Sequence, residues 1–500
     1  MEPHLALRSL VPADLLLRPC AFDGLSGEII GQITGDSREV ECCGGESVSL
    51  FFAVRGTNFD GHAFIGDVFG KNPSAIVVSE SDISADFPRS IRVGDIQKAM
   101  AVVAKRFFGS PDERMRVIAI TGTDGKTTTA HLCRAMVSTC TKTGMFGTVE
   151  YDTGGTRMVA TNTTPGAIPL FSMMREALRN GCRAVALEIS SHAIEQKRAH
   201  GLNVDAAVFT NLSPEHLDFH GTLGNYFLCK RKLFDGGNGR LPKISAINID
   251  DGCGRELIDF LRKSGQPVIS YGFSRDADFR ICAVEKNDMS GAEFTVVSGG
   301  KSHRFHSRIF GEHNLMNITS AFAACMSICD AADGFIGAVS EFAGVPGRLE
   351  RLNLPNGAIA FVDYAHTPRA LALTIETLRP LKNGRMITVF GCTGMRDTSK
   401  RAPMTKIANE MSDFAIATSD DPHEEPQEDI FRDMKNGVTD ESRIVFTEDR
   451  RAAIATAVEM SRAGDIILVA GKGHELCQQI NGGSVDFSDR AVLGELCLSA

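Results

Sequence analysis

The 500-residue sequence contains no tryptophan and only four tyrosines. Platforms for sugars or single-stranded nucleic acid are built from stacked rings, so neither is expected here. Positive charge is also in deficit: 53 Lys and Arg against 62 Asp and Glu leave a formal net charge of −9. General nucleic-acid and membrane-surface binders carry a basic excess, so no nucleic-acid or membrane partner is expected, while a local basic pocket for a small anion stays compatible. No run of about 18 apolar residues exists, which argues against a membrane span. The first residues lack a basic leader followed by a long apolar run, so no secretory leader is expected. None of the 14 cysteines forms a C-x-x-C pair, which speaks against a metal knuckle and for free thiols in a reducing cytosol. Cys133, Cys182, Cys282, Cys325 and Cys392 lie in apolar runs and read as small core hydrophobes.

What is present is globular in character. Hydrophobic residues make up 43% and charged residues 23%, which rules out wholesale disorder. Glycine is abundant at 49 residues, suiting tight turns and close backbone–phosphate contacts. The length corresponds to roughly three domains. Residues 1–108 alternate short strand-like runs, 48–54 and 75–78, with Gly/Asp turns. Buried-strand runs follow at 117–121, 184–189, 206–210 and 246–249, with helical patterns at 127–137 and 167–179. Apolar strands alternating with helices predict a mostly parallel sheet covered on both faces. Residues 279–284, 292–297 and 303–307 alternate like small antiparallel strands. A helix over 314–329 then leads to Gly344-Val345-Pro346-Gly347, a chain boundary. Further strands are expected at 359–363, 386–390, 414–418, 443–446 and 466–470. The fold class is thus α/β in three domains, 1–108, 109–343 and 344–500. The central one is a P-loop mononucleotide-binding parallel sheet carrying a small antiparallel insertion, and the C-terminal one is Rossmann-like.

The sharpest motif is Thr121-Gly122-Thr123-Asp124-Gly125-Lys126-Thr127-Thr128-Thr129, entered from the buried run Val117-Ile118-Ala119-Ile120. Strand, Gly-rich turn, Gly-Lys-Thr and helix make a phosphate cradle. The glycines let backbone N–H groups turn toward phosphate oxygens, and the helix N-terminus adds positive potential. Lys126 would reach the β- and γ-phosphates and the Thr127 hydroxyl would ligate Mg²⁺. The spacing is shorter than the usual P-loop, because Ile120 stands where the first Gly should be. A surface turn with an exposed lysine is the alternative, and the preceding buried strand argues against it.

Downstream, Leu187-Glu188-Ile189-Ser190-Ser191-His192 closes another buried strand, placing the Glu188 carboxylate where it can hold Mg²⁺, or simply face solvent. In Thr210-Asn211-Leu212-Ser213-Pro214-Glu215-His216-Leu217-Asp218-Phe219-His220-Gly221, two histidines and two carboxylates fall within six residues. Such a cluster can bind a divalent ion, although a charged loop gives the same letters. Lys230, by spacing alone, is one surface lysine among several.

Taken together and in this order, these residues resemble the Mur ligases, the ATP-dependent amino-acid ligases of peptidoglycan assembly, and among them the type that adds the third residue. The resemblance covers nearly the whole chain. It implies a uridine-nucleotide contact at Gly35-Asp36-Ser37-Arg38, through Gly35 and Ser37, and a second nucleotide-sugar segment around Thr57, Asn58 and Phe59. It implies that Asn162, Thr163 and Thr164, with Ser190, Gln196 and Arg198, hold the muramoyl-dipeptide. ATP falls to Gly122, Thr123, Asp124, Gly125, Lys126, Thr127 and Thr128, with Asn314 and Arg348; Asn317 shares the helix start with Asn314. Asp124 stands where Asn is commoner and is expected to turn its carboxylate away from phosphate. Thr127, Glu188, His216 and Lys230 are the implied Mg²⁺ ligands, Lys230 after carbamylation. Lys126, Lys230 and His216 are the implied catalytic groups. Arg396, Asp420, Asp421, His423, Gly471 and Glu475 are the implied amino-acid pocket, with Met395 where an acidic residue is usual. The three domains would hold the nucleotide sugar, ATP and the amino acid respectively.

The acceptor motif departs from the family's diaminopimelate-type Asp-Asn-Pro-Arg, reading Asp420-Asp421-Pro422-His423. An arginine fork grips a distal carboxylate with two charge-assisted bonds, whereas histidine offers single donors whose charge depends on pH. Asp421 adds a carboxylate able to meet a distal ammonium. Lysine or ornithine is therefore favoured over meso-diaminopimelate, although Arg396 and Gly471-Lys472-Gly473-His474-Glu475 keep the diaminopimelate-type look. The implied reaction joins the diamino acid to the D-Glu γ-carboxylate of UDP-MurNAc-L-Ala-D-Glu through an acyl phosphate, in a cytoplasmic monomer using ATP and Mg²⁺. The competing readings are a related amide ligase, such as a sibling Mur ligase or a folylpolyglutamate synthetase, and a catalytically silent nucleotide-binding scaffold.

Overall fold

The computed structural model describes residues 5–17, 22–40, 48–56, 60–84 and 86–499. Three main sheets carry the architecture. The first runs Leu5–Ala6, Ile29–Thr34, Val48–Phe52, Ile76–Ser79 and Ser90–Arg92, parallel apart from its first pair. Helix Ile96–Phe107 covers it with Ile96, Ala99, Val103 and Phe107 inward. That spacing places them on one helical face. Asp95 caps the helix by accepting from Lys98 N at 2.8 Å, which satisfies an otherwise unpaired first-turn donor.

The central sheet has eleven strands. Ala206–Phe209, Arg116–Thr121 and Ala184–Glu188 lie side by side at its middle, all parallel. Successive residues of Arg116–Thr121 serve opposite faces, as strand geometry requires. Val117 and Ala119 pack with helix Ala167–Arg179 through Leu170, Phe171 and Met174. Ile118 and Ile120 pack with helices Lys126–Val137 and Glu312–Met326 through Leu132, Met136, Ile318 and Phe322. Coverage on both faces explains why these strands read as unbroken apolar runs.

The antiparallel strands expected over 279–307 are present, carried on the central sheet. Phe279–Asp288 pairs in parallel with Val268–Gly272, then antiparallel with Gly291–Ser298, which pairs antiparallel with Lys301–Ser307, so the hairpins extend the central sheet. Cys282 is exposed, not core; a register shift between Ile281 and Ala283 leaves Ile281 as the inward residue of that stretch. Cys133, Cys182, Cys325 and Cys392 are buried as expected.

The third sheet has the order Glu350–Asn353, Ile359–Asp363, Ile466–Ala470, Met386–Cys392, Phe414–Ser419, Ile444–Phe446, with all pairs but the first parallel. The carboxyl ends of four of these strands release the segments 364–368, 471–475, 393–397 and 420–423 on one side. In open α/β sheets that is the side on which ligand crevices form. Among the described residues, no helix is long and apolar enough to cross a membrane.

Candidate active site

The phosphate loop is shaped by two glycines that no other residue replaces cheaply. Gly122 has φ 148° and Gly125, which caps helix Lys126–Val137, has φ 83°. A Cβ on Gly122 would overlap the Thr210 hydroxyl, and one on Gly125 the Asn317 side-chain oxygen. The loop is therefore clasped between the strand end at Thr210 and the start of helix Glu312–Met326. Lys126 Nζ donates to the carbonyls of Gly122 (3.0 Å) and Thr123 (2.7 Å), folded back over the loop. Asp124 lines the cleft, and its carboxylate accepts from Ser213 Oγ at 3.4 Å.

Glu188 ends its strand buried, not facing solvent. It accepts from the hydroxyls of Thr127 and Thr148, each at 3.0 Å, and from Thr148 N at 2.8 Å. Three donors hold a buried carboxylate in one orientation. Arg348 crosses from the third sheet's domain, donating to Thr127 Oγ1 at 3.2 Å and lying 4.7 Å from the Tyr364 ring centre. The cleft between them is also lined by Thr163, Ser190, Asn314, Asn317 and His366.

His216 sits at φ 55°, just before the short helix Leu217–His220, and stacks edge-on against His192 with ring centres 4.8 Å apart. Burial and neighbouring cations push both imidazoles toward the neutral form. Glu215 bridges His216 (3.8 Å) and His366 (3.6 Å). Its burial favours protonation, but the His366 imidazole beside it and the charge of Lys126 outweigh that and hold it well below the usual carboxylate range.

Lys230 is no surface residue. On helix Leu223–Arg231 it is 1% exposed, 4.5 Å above the Tyr226 ring, with Nζ donating to Gly122 O at 2.7 Å. Burial, then the Lys126 charge, drives its proton affinity well below that of an ordinary lysine.

The dipeptide-side residues converge on the same strand end. Thr164 Oγ1 donates to Glu188 O (2.8 Å) and accepts from Ser190 N (3.0 Å); the Thr163 and Thr148 hydroxyl oxygens lie 3.1 Å apart. Arg198 donates to Thr164 O (2.8 Å) and is clamped by Gln196 (2.7 and 2.9 Å). The Asn162 carbonyl accepts from the Tyr151 hydroxyl at 2.5 Å. Gly35 and Ser37 follow strand Ile29–Thr34 and do not line this cleft; Lys71 Nζ donates to Ser37 O at 2.9 Å. Thr57, Asn58 and Phe59 lie outside the described residues.

A second constellation closes the third sheet. Ligand atoms of Asp420, Asp421 and Glu475 lie within 4.8 Å of one another. The buried Lys472 ammonium sits among them, 2.8 Å from Asp421, 2.7 Å from Glu475 and 3.8 Å from Asp420. Gly471, at φ 115°, lets Asp420 approach. His423 is held at φ 54° by His423 N to Gln479 O (2.9 Å) and Asn481 N to His423 O (2.6 Å). Arg396 and Met395 are exposed nearby in sequence, Met395 N donating to Glu425 at 2.7 Å.

Sequence reading overlooked Thr148, Lys472 and the bridging role of Glu215. Thr148 follows a strand end with Gly147 before it, a turn signal that was legible. Lys472 and Glu215 lay inside quoted motifs, but their partners come from distant segments.

The donor set around Glu188 consists of carboxylate and hydroxyl oxygens, which fits Mg²⁺; His216 lines the same cleft. A buried, oriented carboxylate beside a Gly-Lys-Thr loop, faced by an arginine from the third sheet's side, is the arrangement of a nucleotide-driven ligase.

Comparison with known proteins agrees. Residues 120–325 match the Mur ligase middle domain, and residues 347–473 match the Mur ligase glutamate ligase domain. The chain is 39% identical over 485 residues to the UDP-N-acetylmuramoyl-L-alanyl-D-glutamate--2,6-diaminopimelate ligase of Solibacter usitatus, with 96% of each chain covered. It is 37% identical to the ligase of the same name from Aquifex aeolicus, with 93% of each covered. A solved structure of a ligase of that name superposes with a TM-score of 0.68 at 29% identity, covering 99% of both chains. The chain belongs to the Mur ligase family. It is an ATP-dependent, ADP-forming peptide ligase that works with Mg²⁺.

Proposed function

We propose that this ligase adds diaminopimelate to the D-Glu γ-carboxylate of UDP-MurNAc-L-Ala-D-Glu. The relatives named for that reaction support the substrates, and one observation supports this acceptor over lysine or ornithine. The expectation of lysine rested on Asp421 meeting a distal ammonium. Asp421 Oδ1 already receives Lys472 Nζ at 2.8 Å and Gln479 N at 3.0 Å. Its charge is matched within the protein, so it is poorly placed to select a second ammonium. Glu475 shares the Lys472 ammonium at 2.7 Å, so Asp420, 3.8 Å from it, is the carboxylate left to take the amine at the reacting end, and His423 and Arg396 are the groups suited to the distal carboxylate.

The chemistry follows from the cleft. The γ-carboxylate attacks the γ-phosphorus of ATP, the bond to the bridging oxygen breaks, and ADP leaves an acyl phosphate. The α-amine of the acceptor then attacks the acyl carbon, and phosphate leaves. Lys126, the helix N-terminus behind Gly125 and Arg348 face the charge that develops on the phosphoryl oxygens. Thr127, Glu188, His216 and a carbamylated Lys230 would hold Mg²⁺, which supplies charge neutralisation and alignment when bound. A neutral amine is what adds to CO₂, and the burial of Lys230 favours that form; the resulting carbamate anion also gives Lys126 an opposite charge. Arg198, Thr164 and Ser190 would position the dipeptide, and Gly35 and Ser37 the uridine nucleotide, with the domain divisions near 108 and 343 separating the three substrates.

The test is product analysis. Incubation with ATP, Mg²⁺, UDP-MurNAc-L-Ala-D-Glu and diaminopimelate should yield the tripeptide nucleotide by mass spectrometry, with ADP and phosphate in equal amounts. ADP formation that needs no UDP-sugar would reject the reading.

A further inference from the structure

We infer that Cys140 and Cys329 form a reversible disulfide site at the far end of the two helices that hold the nucleotide loop. Helix Lys126–Val137 starts at the phosphate loop and ends in a turn where Cys140 N donates to Val137 O at 2.9 Å. Helix Glu312–Met326 starts with Asn314 and Asn317 in the cleft and ends in a turn where Cys329 N donates to Cys325 O at 2.9 Å. The two helices pack side by side, so residues 189 apart in sequence bring their sulfurs to 3.0 Å. A disulfide needs an S–S distance of about 2.0 Å, so about 1 Å of side-chain movement closes the bond.

Accessibility separates this pair from its neighbours. Cys133 and Cys325, earlier on the same helices, are buried. Cys140 is exposed and Cys329 partly so. The Cys329 thiol donates to the Cys140 sulfur, and that bond holds the Cys329 proton on. Cys140, the sulfur open to solvent, is therefore the one an incoming disulfide reaches first. The thiolate is the attacking species, so the reaction accelerates with rising pH.

The co-reactant is a small disulfide such as oxidised glutathione. The Cys140 thiolate attacks one of its sulfurs, forming a mixed disulfide and releasing one glutathione thiolate. Cys329 then loses its proton and attacks the Cys140 sulfur, forming the protein disulfide and releasing the second glutathione. The protein loses two protons and two electrons, and the glutathione disulfide gains them as two thiols. The closed bond ties the distal ends of the two helices whose opposite ends form the nucleotide site.

The experiment treats the full-length folded protein with oxidised glutathione, blocks remaining thiols, and maps tryptic peptides without reduction. The expected result is peptide 135–142 joined to peptide 309–348, reversed by dithiothreitol and absent in both Cys140→Ser and Cys329→Ser. The Cys329→Ser control distinguishes Cys329 from Cys325, which shares its peptide. Glutathione left on Cys140 without a cross-link, no reaction at Cys140, or a cross-link persisting in Cys329→Ser would each overturn the inference.

Discussion

Lys230 Nζ donates to the Gly122 carbonyl at 2.7 Å across a separation of 108 residues. A buried amine thus hydrogen-bonds the loop, and its burial, followed by the charge of the loop's own Lys126, depresses its protonation. Two lysines that share the Gly122 carbonyl repel unless one of them gives up its charge, and that tension organises the phosphate end of the site.

Lys230 should accordingly leave a signature in stability. Its folded-state proton affinity is depressed, so below the ordinary lysine value of about 10.4 the unfolded chain binds a proton that the folded chain gives up. Stability of the carbonate-free protein should therefore rise with pH through the window from the depressed folded value up to about 10.4. Lys230→Met should flatten that rise and melt higher than the parent at pH 7, while its turnover falls at least about 100-fold. Thermal melts over pH, paired with phosphate release, check both halves. A variant that melts lower at pH 7 with an unchanged slope would contradict the account.

Lys126→Ala removes a cation folded over the loop without opening a core cavity, since Lys126 is only partly buried. Turnover should be lost, by about 100-fold or more, with the circular-dichroism melt nearly unchanged. Near-full activity would show that the loop does not cradle the reacting phosphate.

Glu188→Gln should damage the metal site and the fold together. The carboxylate accepts from three donors, and an amide can match only part of that set. The expected cost is about 1–3 kcal/mol of stability, with a higher Mg²⁺ concentration needed for half-maximal rate. A melt and a Mg²⁺ titration read the two effects separately. An unchanged Mg²⁺ dependence would remove Glu188 from the ligand set.

Gly125→Ala places a side chain at φ 83° against the Asn317 oxygen. The strain of the left-handed backbone costs about 1–2 kcal/mol, and the displaced Asn317 should weaken ATP binding. Calorimetric titration with a non-hydrolysable ATP analogue measures this; wild-type affinity would mean that the clasp between loop and helix is dispensable.

Much of this site was legible in sequence because its parts are contiguous. Gly122 to Thr128 is a single loop whose physics is local, and Glu188 announces itself by ending a buried strand. What stayed hidden is long-range. Lys230 read as a surface lysine because nothing nearby says that Tyr226 and Gly122 will enclose it. Asp421 read as a ligand because its partner, Lys472, lies 51 residues away. The alternating pattern of 279–307 announced its antiparallel strands, but that pattern is the same whether a hairpin stands apart or adds to a sheet edge, and only the pairing of Phe279–Asp288 with Val268–Gly272 decides.

The most direct measurement is phosphate release by the purified protein with ATP, Mg²⁺ and UDP-MurNAc-L-Ala-D-Glu, run in parallel with meso-diaminopimelate, L-lysine and L-ornithine. Turnover with diaminopimelate, and little with the other two, is the predicted result. Preference for lysine or ornithine would contradict the pairing of Asp421 with Lys472 as the reason for acceptor choice, and no turnover with any of the three would contradict the proposed reaction itself.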